Sequence, residues 1–269
     1  KLSQEVCVRK GEAEKKIPAQ RRAEIRDLLN RRGAASMAQI ASSLGVSVST
    51  VRRDLAELEK EGSIRRSHGG AAIVEHTTLE FRFKDRRRHH RAEKTRIGEY
   101  AVTLLEVGQS VIFDSSSTVL CAAEALRHRL LEVTAVTNDV NVASVLAEVP
   151  NVSVVVPGGE IREGSFTLLG PLLRNFLEGL HVDVAFLGAH AISGDALSES
   201  SLSVVEAKRA MIGAARRVVL LADHSKFRPP AFFEVARAGV IHDLITDDAT
   251  PEKALEAMDA RGGLRVHVV

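Results

Sequence analysis

From residue 110 to residue 246 the sequence alternates between short, nearly continuous apolar runs and segments of helical periodicity, and this alternation constrains the fold more than any other feature. The apolar runs fall at 110–113, 133–137, 152–156, 182–187, 218–221 and 240–246. Helical patterns at 118–130, 140–148, 166–177 and 203–215 lie between most of them. A strand that is apolar along its whole length must be covered on both faces, and helices between successive strands supply that cover. The expected fold class is α/β, with a mostly parallel sheet between helical layers. Aromatic residues make up only 4% of a chain that is 45% hydrophobic, so its cores must be built from Leu, Val, Ile and Ala.

The first third of the chain reads differently. Residues 1–96 carry 23 Lys and Arg against 13 Asp and Glu, whereas the rest carries 14 against 22. A basic front on an acidic body suggests a polyanionic partner for the front, although a solvated surface has the same charge. Residues 1–17 are polar and aperiodic and are expected to form a flexible tail. A helix is expected over 18–32, with Ile25, Leu28 and Leu29 on one face and Gly33 as its stop. A second short helix follows to Leu44, with Ser36 as N-cap and Gly45 in the turn. Ser47 caps a third, which directs Val48, Val51, Leu55 and Leu58 inward and ends at Gly62. Ser49, Thr50, Arg52 and Arg53 remain on its outer face, near its start. Short hydroxyls and guanidinium forks there suit a helix that enters a DNA major groove. Beyond it, strand-like residues on either side of Gly69-Gly70 form the hairpin wing of a winged helix-turn-helix, where Arg65, Arg66 and His68 can meet phosphates or the minor groove. A generic three-helix bundle with a basic face is the competing reading.

The domain boundaries follow: winged helix-turn-helix at 18–73, basic linker at 74–93, and α/β domain at 94–269. The linker run Arg86-Arg87-Arg88-His89-His90-Arg91 suits DNA phosphates or a solvated helix equally well. Cys7 and Cys121 lack metal or redox spacing, which points to a reducing cytoplasm without disulfides, and neither a metal site nor a cofactor is expected. No apolar run reaches membrane-span length, and no signal-peptide core opens the sequence.

Ligands of parallel sheets bind outside the carboxyl ends of the strands, so the loops there are the candidates for a site. The first is Asp114-Ser115-Ser116-Ser117-Thr118, where hydroxyls and free N–H groups at a helix start suit a phosphate. Thr137-Asn138-Asp139 follows the second strand and Pro157-Gly158-Gly159 the third. His190 follows the fourth, and Lys226 after the fifth offers a cation. Singly, such loops are ordinary caps and turns; together they mark a candidate effector site.

Several ordered segments carry a resemblance. Leu44-Gly45-Val46-Ser47, Thr50-Val51-Arg52-Arg53-Asp54-Leu55 and Arg66-Ser67-His68-Gly69-Gly70-Ala71 resemble the DNA-binding domain of the DeoR family of repressors. Asp114 with Thr118, Thr137-Asn138, Gly158-Gly159, Gly170, Gly188, Glu206 with Lys208-Arg209-Ala210-Met211, Asp223 with Ser225-Lys226-Phe227, and Thr246-Asp247 resemble that family's effector domain. The resemblance implies a sugar-phosphate isomerase/CoA-transferase-like sensor, a recognition role for the third helix, a structural role for Asp54 beside an Arg, and Glu206 as a site residue. It also implies double-stranded operator DNA and a phosphorylated sugar or related metabolite as partners, and a homo-oligomer, dimer or tetramer, for reading repeated half-sites. The sequence departs from the family's usual Asp-x-Gly-Thr-Thr, with Ser116 in the Gly place and Ser117 in the first Thr place. That change implies a reshaped pocket. The alternatives are an isomerase- or deaminase-like enzyme with an appended DNA-binding module, for which Asp114, Glu206 and Lys226 would be acid/base candidates, and a nonspecific DNA-compacting protein, which would not need the sensor domain.

Overall fold

The computed structural model describes residues 17–32, 34–60, 64–67, 69–73, 83–162, 165–260 and 262–269. Cys7 and the expected tail up to residue 16 lie outside them, as do the helix stops at Gly33 and Gly62 and the wing residue His68. Contacts divide the chain into two units between His76 and Thr77.

The first unit contains α1 (Pro18–Arg32), β1 (Ala34–Ser36), α2 (Met37–Leu44), α3 (Val48–Lys60), β2 (Ile64–Ser67) and β3 (Gly70–Ile73). Ser36 caps α2 through a reciprocal box with Gln39, which satisfies two backbone donors at that end. Gly45 closes α2 in the left-handed region (φ 67°), which glycine enters without steric cost, and so allows the sharp turn into α3. The hairpin β2–β3 pairs antiparallel, and β1 adds to its other side. Ile25, Leu29, Ile40, Val51, Leu55 and Leu58 form one small apolar core. Val48 departs from expectation and is exposed. A helical side chain leans over the turn preceding it, and at the first position of α3 no such turn exists.

The second unit begins with α4 (Phe83–Arg88) and α5 (Arg91–Ala101), so residues assigned to the linker by sequence count with it. It continues with β4 (Ser110–Phe113), α6 (Ser117–Leu126), β5 (Val133–Thr137), α7 (Val140–Leu146), β6 (Val152–Val155), β7 (Glu160–Ile161), β8 (Leu168–Leu169), α8 (Pro171–Glu178) and β9 (Val182–Gly188). Then come β10 (Ala191–Ser193), β11 (Ala196–Glu199), α9 (Leu202–Ala214), β12 (Ala215–Leu221), β13 (Phe233–Arg237), β14 (Asp243–Thr246), α10 (Glu252–Met258) and β15 (Arg265–Val268).

Seven of these strands form a wholly parallel sheet in the order β15-β14-β12-β9-β4-β5-β6. Side chains alternate across it. Val111, Phe113, Val184 and Phe186 pack into the core shared with α5, α6 and α7, whereas Ile112, Ala185 and Leu187 pack into the one shared with α8 and α9. Both faces are packed with apolar side chains, as the continuous apolar runs required. Three expectations need correction. The run 240–246 becomes a strand only at Asp243, after a short 3-10 turn. The helix expected over 166–177 starts at Pro171, because Leu168–Leu169 pairs with β7 and Pro171 suits a first helical turn. A seventh strand, β15, was not anticipated, since its half-buried Arg-Val-His-Val pattern lacks a continuous apolar run.

The strand order fixes where a site can form. From β4 the chain winds outward through β5 to β6, and from β9 it winds the other way through β12 and β14. The loops after β4 and β9 therefore leave the sheet on opposite sides and open a crevice between them, the switch point at which ligands of such sheets bind.

Candidate functional site

The first unit presents the start of α3 as its polar end. Ser47 Oγ accepts the Thr50 N–H at 3.2 Å and lies 2.8 Å from Ser49 Oγ and 2.9 Å from Thr50 Oγ1, so the three hydroxyls form one linked cluster. Arg52 and Arg53 follow on the exposed side of the helix. Asp54 turns the other way and is buried, holding the Arg21 guanidinium through two bonds of 2.6 and 3.1 Å. This is the structural pairing expected of it. Arg66 also meets α3: its backbone N–H donates to Glu59 Oε1 at 3.2 Å, and its guanidinium lies 3.6 Å from Glu59 Oε2. Arg65 lies on β2. The hydroxyls and arginines of α3 thus share one surface, whereas Arg66 also fastens the wing strand to α3.

In the second unit the crevice between β4 and β9 is bridged by charge. Asp114 follows β4 and is fully buried. Its Oδ2 accepts the Gly188 N–H at 2.9 Å and is also ion-paired with the Lys208 ammonium. Lys208, on α9, donates in addition to the Gly188 carbonyl at 2.7 Å and lies 3.6 Å from Glu199 Oε1 at the end of β11. Its amine is held above its ordinary range by these two carboxylates, which outweigh its burial. Burial pushes the Glu199 carboxyl upward. The resemblance implies Glu206 as a site residue, but the buried face of α9 carries Val204, Val205, Ala207, Lys208 and Met211, and Glu206 is exposed. Lys208 and Glu199 are the residues that reading missed. A lysine flanked by apolar residues at helical spacing was the signal for Lys208; Glu199 had none.

Around this pair stand polar atoms without partners. Asn138 Nδ2 donates to the Leu168 carbonyl at 3.1 Å, but its Oδ1 is buried and unpaired. Asp139 Oδ1 caps α7, whereas its Oδ2 is buried and unpaired, and desolvation raises its carboxyl. His190 Nδ1 and Ser200 Oγ are likewise unpaired. Burial, with Arg228 and Lys226 nearby, holds the His190 imidazole down at about 3, so it is neutral at physiological pH. Asp223 Oδ1 accepts from Ser225, and its Oδ2 lies 3.9 Å from Lys94 Nζ without a hydrogen bond. Buried polar atoms are nearly always satisfied in folded proteins, so such a group of exceptions marks a place where something else supplies the bonds. Cations outnumber the acids. Arg86, Lys94, Arg162, Lys208, Lys226 and Arg228 lie within electrostatic reach of Asp114, Asp139, Glu199 or Asp223. Desolvation and neighbouring cations push the Lys226 amine down to about 8.

The serine loop is placed as expected at the start of α6, but its chemistry differs. Ser116 is the N-cap; its Oγ accepts the Thr118 N–H at 3.2 Å and the Val119 N–H at 3.4 Å, two donors that a helix start otherwise leaves unpaired. Ser117 and Thr118 are buried and Ser115 is half-buried. Gly188 makes room for this arrangement, since a Cβ there would stand 2.2 Å from Ser116 Oγ. Gly158 and Gly159 follow β6, and the missing side chain of Gly159 (φ 158°) admits the Leu169 backbone, 2.7 Å from where a Cβ would lie; the neighbouring Leu168 exchanges hydrogen bonds with Asn138. Among the described residues a separate cavity of about 230 Å³ opens beside Ile241, His242 and Leu264, before the starts of β14 and β15. None of the unpaired buried polar atoms lines it. No group of three His, Cys, Asp or Glu is placed to hold a metal among the described residues, and none of their helices is long and apolar enough to cross a membrane.

A winged helix-turn-helix followed by a parallel α/β unit with a polar, incompletely satisfied crevice at its switch point defines a two-part DNA-binding regulator. The comparisons agree and give the family. Residues 89–248 match the DeoR C terminal sensor domain, and residues 21–77 match the DeoR-like helix-turn-helix domain. The HTH-type transcriptional regulator GolR of Listeria innocua is 33% identical over 94% of this chain and 99% of its own length. The HTH-type transcriptional repressor GlcR of Bacillus subtilis is 32% identical over 88% of this chain and 92% of its own length. The chain belongs to the DeoR family of transcription regulators and is not an enzyme. Among solved structures, ribose 5 phosphate isomerase A from Neisseria gonorrhoeae aligns with 50% of this chain and 52% of its own at 19% identity, with a TM-score of 0.38, which supports no argument about function.

Proposed function

We propose that the protein is a cytoplasmic, homo-oligomeric repressor of a sugar or sugar-derivative catabolic operon, released from its operator by a phosphorylated sugar or related metabolite. The observation that supports the effector class is the composition of the switch-point crevice. Its surplus of desolvated cations suits an anion. Its unpaired Asn138 Oδ1, Asp139 Oδ2 and Asp223 Oδ2 are acceptors that suit hydroxyl groups. A phosphorylated polyol offers both. Binding of operator DNA rests on Ser47, Ser49, Thr50, Arg52 and Arg53 at the start of α3, with Arg65 and Arg66 on β2, and His68 after them in the sequence, as phosphate contacts.

Asp114 reads as a structural anion rather than an acid/base group, because Lys208 and Gly188 occupy its Oδ2. The test is a thermal-shift screen of the full chain against sugar phosphates and the matching free sugars, followed by release of the protein from DNA selected out of a random pool. Stabilisation by phosphorylated compounds alone, with release at the same concentrations, is expected. Equal stabilisation by the free sugars would refute the phosphate requirement.

A further inference from the structure

The unpaired buried atoms of the crevice are not alike. Asn138, Asp139 and Asp223 each hold a backbone group through one atom and leave another unpaired. His190 is 9% exposed, and its Nδ1 is closed off from solvent without a partner among the described residues. Its place follows from the backbone. It stands two residues beyond Gly188, whose N–H donates to Asp114 and whose carbonyl accepts from Lys208. β10 and β11 pair antiparallel with Ala191 opposite Ser198 and Ile192 opposite Leu197, so the next place in that register sets His190 opposite Glu199. Opposed residues of a strand pair share a face, and successive ones alternate. His190 therefore stands on the face of Glu199, whose Oε1 lies 3.6 Å from Lys208 Nζ. The register turns its ring toward the Lys208–Asp114 pair.

The backbone that carries the ring is gripped from the neighbouring strand end. Arg228 Nε and Nη2 donate to the His190 carbonyl at 3.1 and 2.8 Å, and the Arg228 backbone N–H donates to the Ile192 carbonyl at 3.1 Å. Ser198 closes the other side: its Oγ donates to the Ala191 carbonyl at 3.4 Å and accepts the Ala231 N–H at 2.8 Å. A guanidinium fork fixes a carbonyl from two points in one plane, which an ammonium does not. Lys226 lies two residues before Arg228, so the loop that carries this cation also sets the backbone of His190. A backbone so tied, under a side chain whose buried nitrogen has no partner among the described residues, points to a partner from outside the chain.

Ordered water and a ligand group compete for that place. The ring is neutral at physiological pH, since burial and the cations around it hold it down at about 3. A neutral imidazole offers one donor and one acceptor. It adds no charge to the pull of the crevice's cations on an anion, whereas a sugar hydroxyl meets it in either tautomer, by accepting or by donating. A ligand displaces ordered water without loss only where it reproduces the water's bonds, and a hydroxyl does so here. We propose that His190 reads an uncharged hydroxyl of the effector, and that Arg228 is the positioning residue that holds its ring in place. The inference rests on the phosphorylated-effector reading for the rest of the ligand. It assigns the two ends of that ligand to different residues: the anion to the cations, and the choice among sugars to His190.

The experiment is titration calorimetry on the full chain with two probes: inorganic phosphate, and the sugar phosphate that stabilises the protein most in the screen, together with its monodeoxy analogues. Wild type, His190→Ala, His190→Asn and Arg228→Lys are compared. His190→Ala should bind the sugar phosphate ~10–100-fold more weakly and inorganic phosphate as wild type does. One monodeoxy analogue should bind wild type and His190→Ala equally, because it lacks the hydroxyl that the ring meets. His190→Asn keeps a neutral donor and acceptor and should recover part of the loss. Arg228→Lys keeps the charge without the fork and should lose more affinity for the sugar phosphate than for phosphate. If His190→Ala fails to fold, by its circular dichroism, the ring is read directly by nuclear magnetic resonance. In wild type carrying isotope-labelled histidine, its nitrogen signals, assigned through His190→Asn, should move with the sugar phosphate and not with inorganic phosphate. Equal losses for both probes, no loss for either, no analogue that evens the two proteins, or unmoved ring signals would overturn the role of His190 and leave the effector reading standing. Equal losses in Arg228→Lys would overturn its positioning role alone. No binding of any sugar phosphate of the screen would overturn both readings.

Discussion

Replacing Lys208 with Met tests the central ion pair directly. The side chain is nearly isosteric and 5% exposed, so the change removes charge and donors while leaving volume almost unaltered. Three interactions disappear: the ion pair with Asp114, the 2.7 Å bond to the Gly188 carbonyl, and the 3.6 Å approach to Glu199. Asp114 is left as a buried carboxylate whose Oδ2 keeps the Gly188 N–H at 2.9 Å. Glu199 loses less, because burial already favours its protonated form. Removing one partner of a buried pair costs ~3–5 kcal/mol, and the remaining Gly188 bond argues against a larger figure. For a unit of this size each kcal/mol moves Tm by ~2–4 °C, so a drop of ~6–20 °C is expected. Urea unfolding followed by far-ultraviolet circular dichroism measures the free energy, with an unchanged m-value showing that the native fold persists. Adding Asp114→Asn should recover part of the loss, since the orphaned charge is gone. A loss below ~1 kcal/mol, or no recovery in the double variant, would refute the claim that this pair holds the crevice together.

Four further outcomes are expected. Arg52→Ala or Arg53→Ala should weaken binding to selected DNA by ~1–3 kcal/mol in a titration at fixed salt if that residue reads a base edge; normal binding by both would show that α3 docks differently. Ser116→Gly should free the Thr118 and Val119 N–H groups and raise phosphate affinity ~tenfold at a stability cost of a few tenths of a kcal/mol; unchanged affinity in calorimetry would remove α6 from the anion site. Lys226→Ala should leave ligand-free DNA binding intact and raise the effector concentration needed for release ~10–100-fold, whereas identical midpoints would exclude Lys226. In wild type, phosphate affinity should fall as pH rises through about 8, where the Lys226 amine loses its proton beside Asp223, Lys94, Arg228 and Arg86. The same depressed amine means that the unfolded chain binds the proton more tightly, so its contribution to the stability of the ligand-free protein grows between that value and the ordinary 10.5. A flat affinity profile across pH 8 would count against the cation's role.

The alternating apolar runs determined the parallel sheet, because a strand without a polar face leaves no other packing. The spacing of Val51, Leu55 and Leu58, the Ser36 cap and the Gly45 turn likewise determined the helix-turn-helix, since each is a local choice made within a few residues. Asp114, Asn138, His190 and Lys226 were legible as strand-end residues. What sequence could not supply was the strand order, which puts β4 beside β9 and makes the place between their loops the switch point. Tertiary structure alone chose Lys208 over Glu206, two positions apart on α9, because only the face of a helix decides which side chain points inward. It alone turned Ser116 from a phosphate contact into a cap, with Gly188 clearing the space from 72 residues away in the chain. And it alone drew Arg86 out of a run of like charges, because long-range burial distinguishes neighbours that composition makes equal.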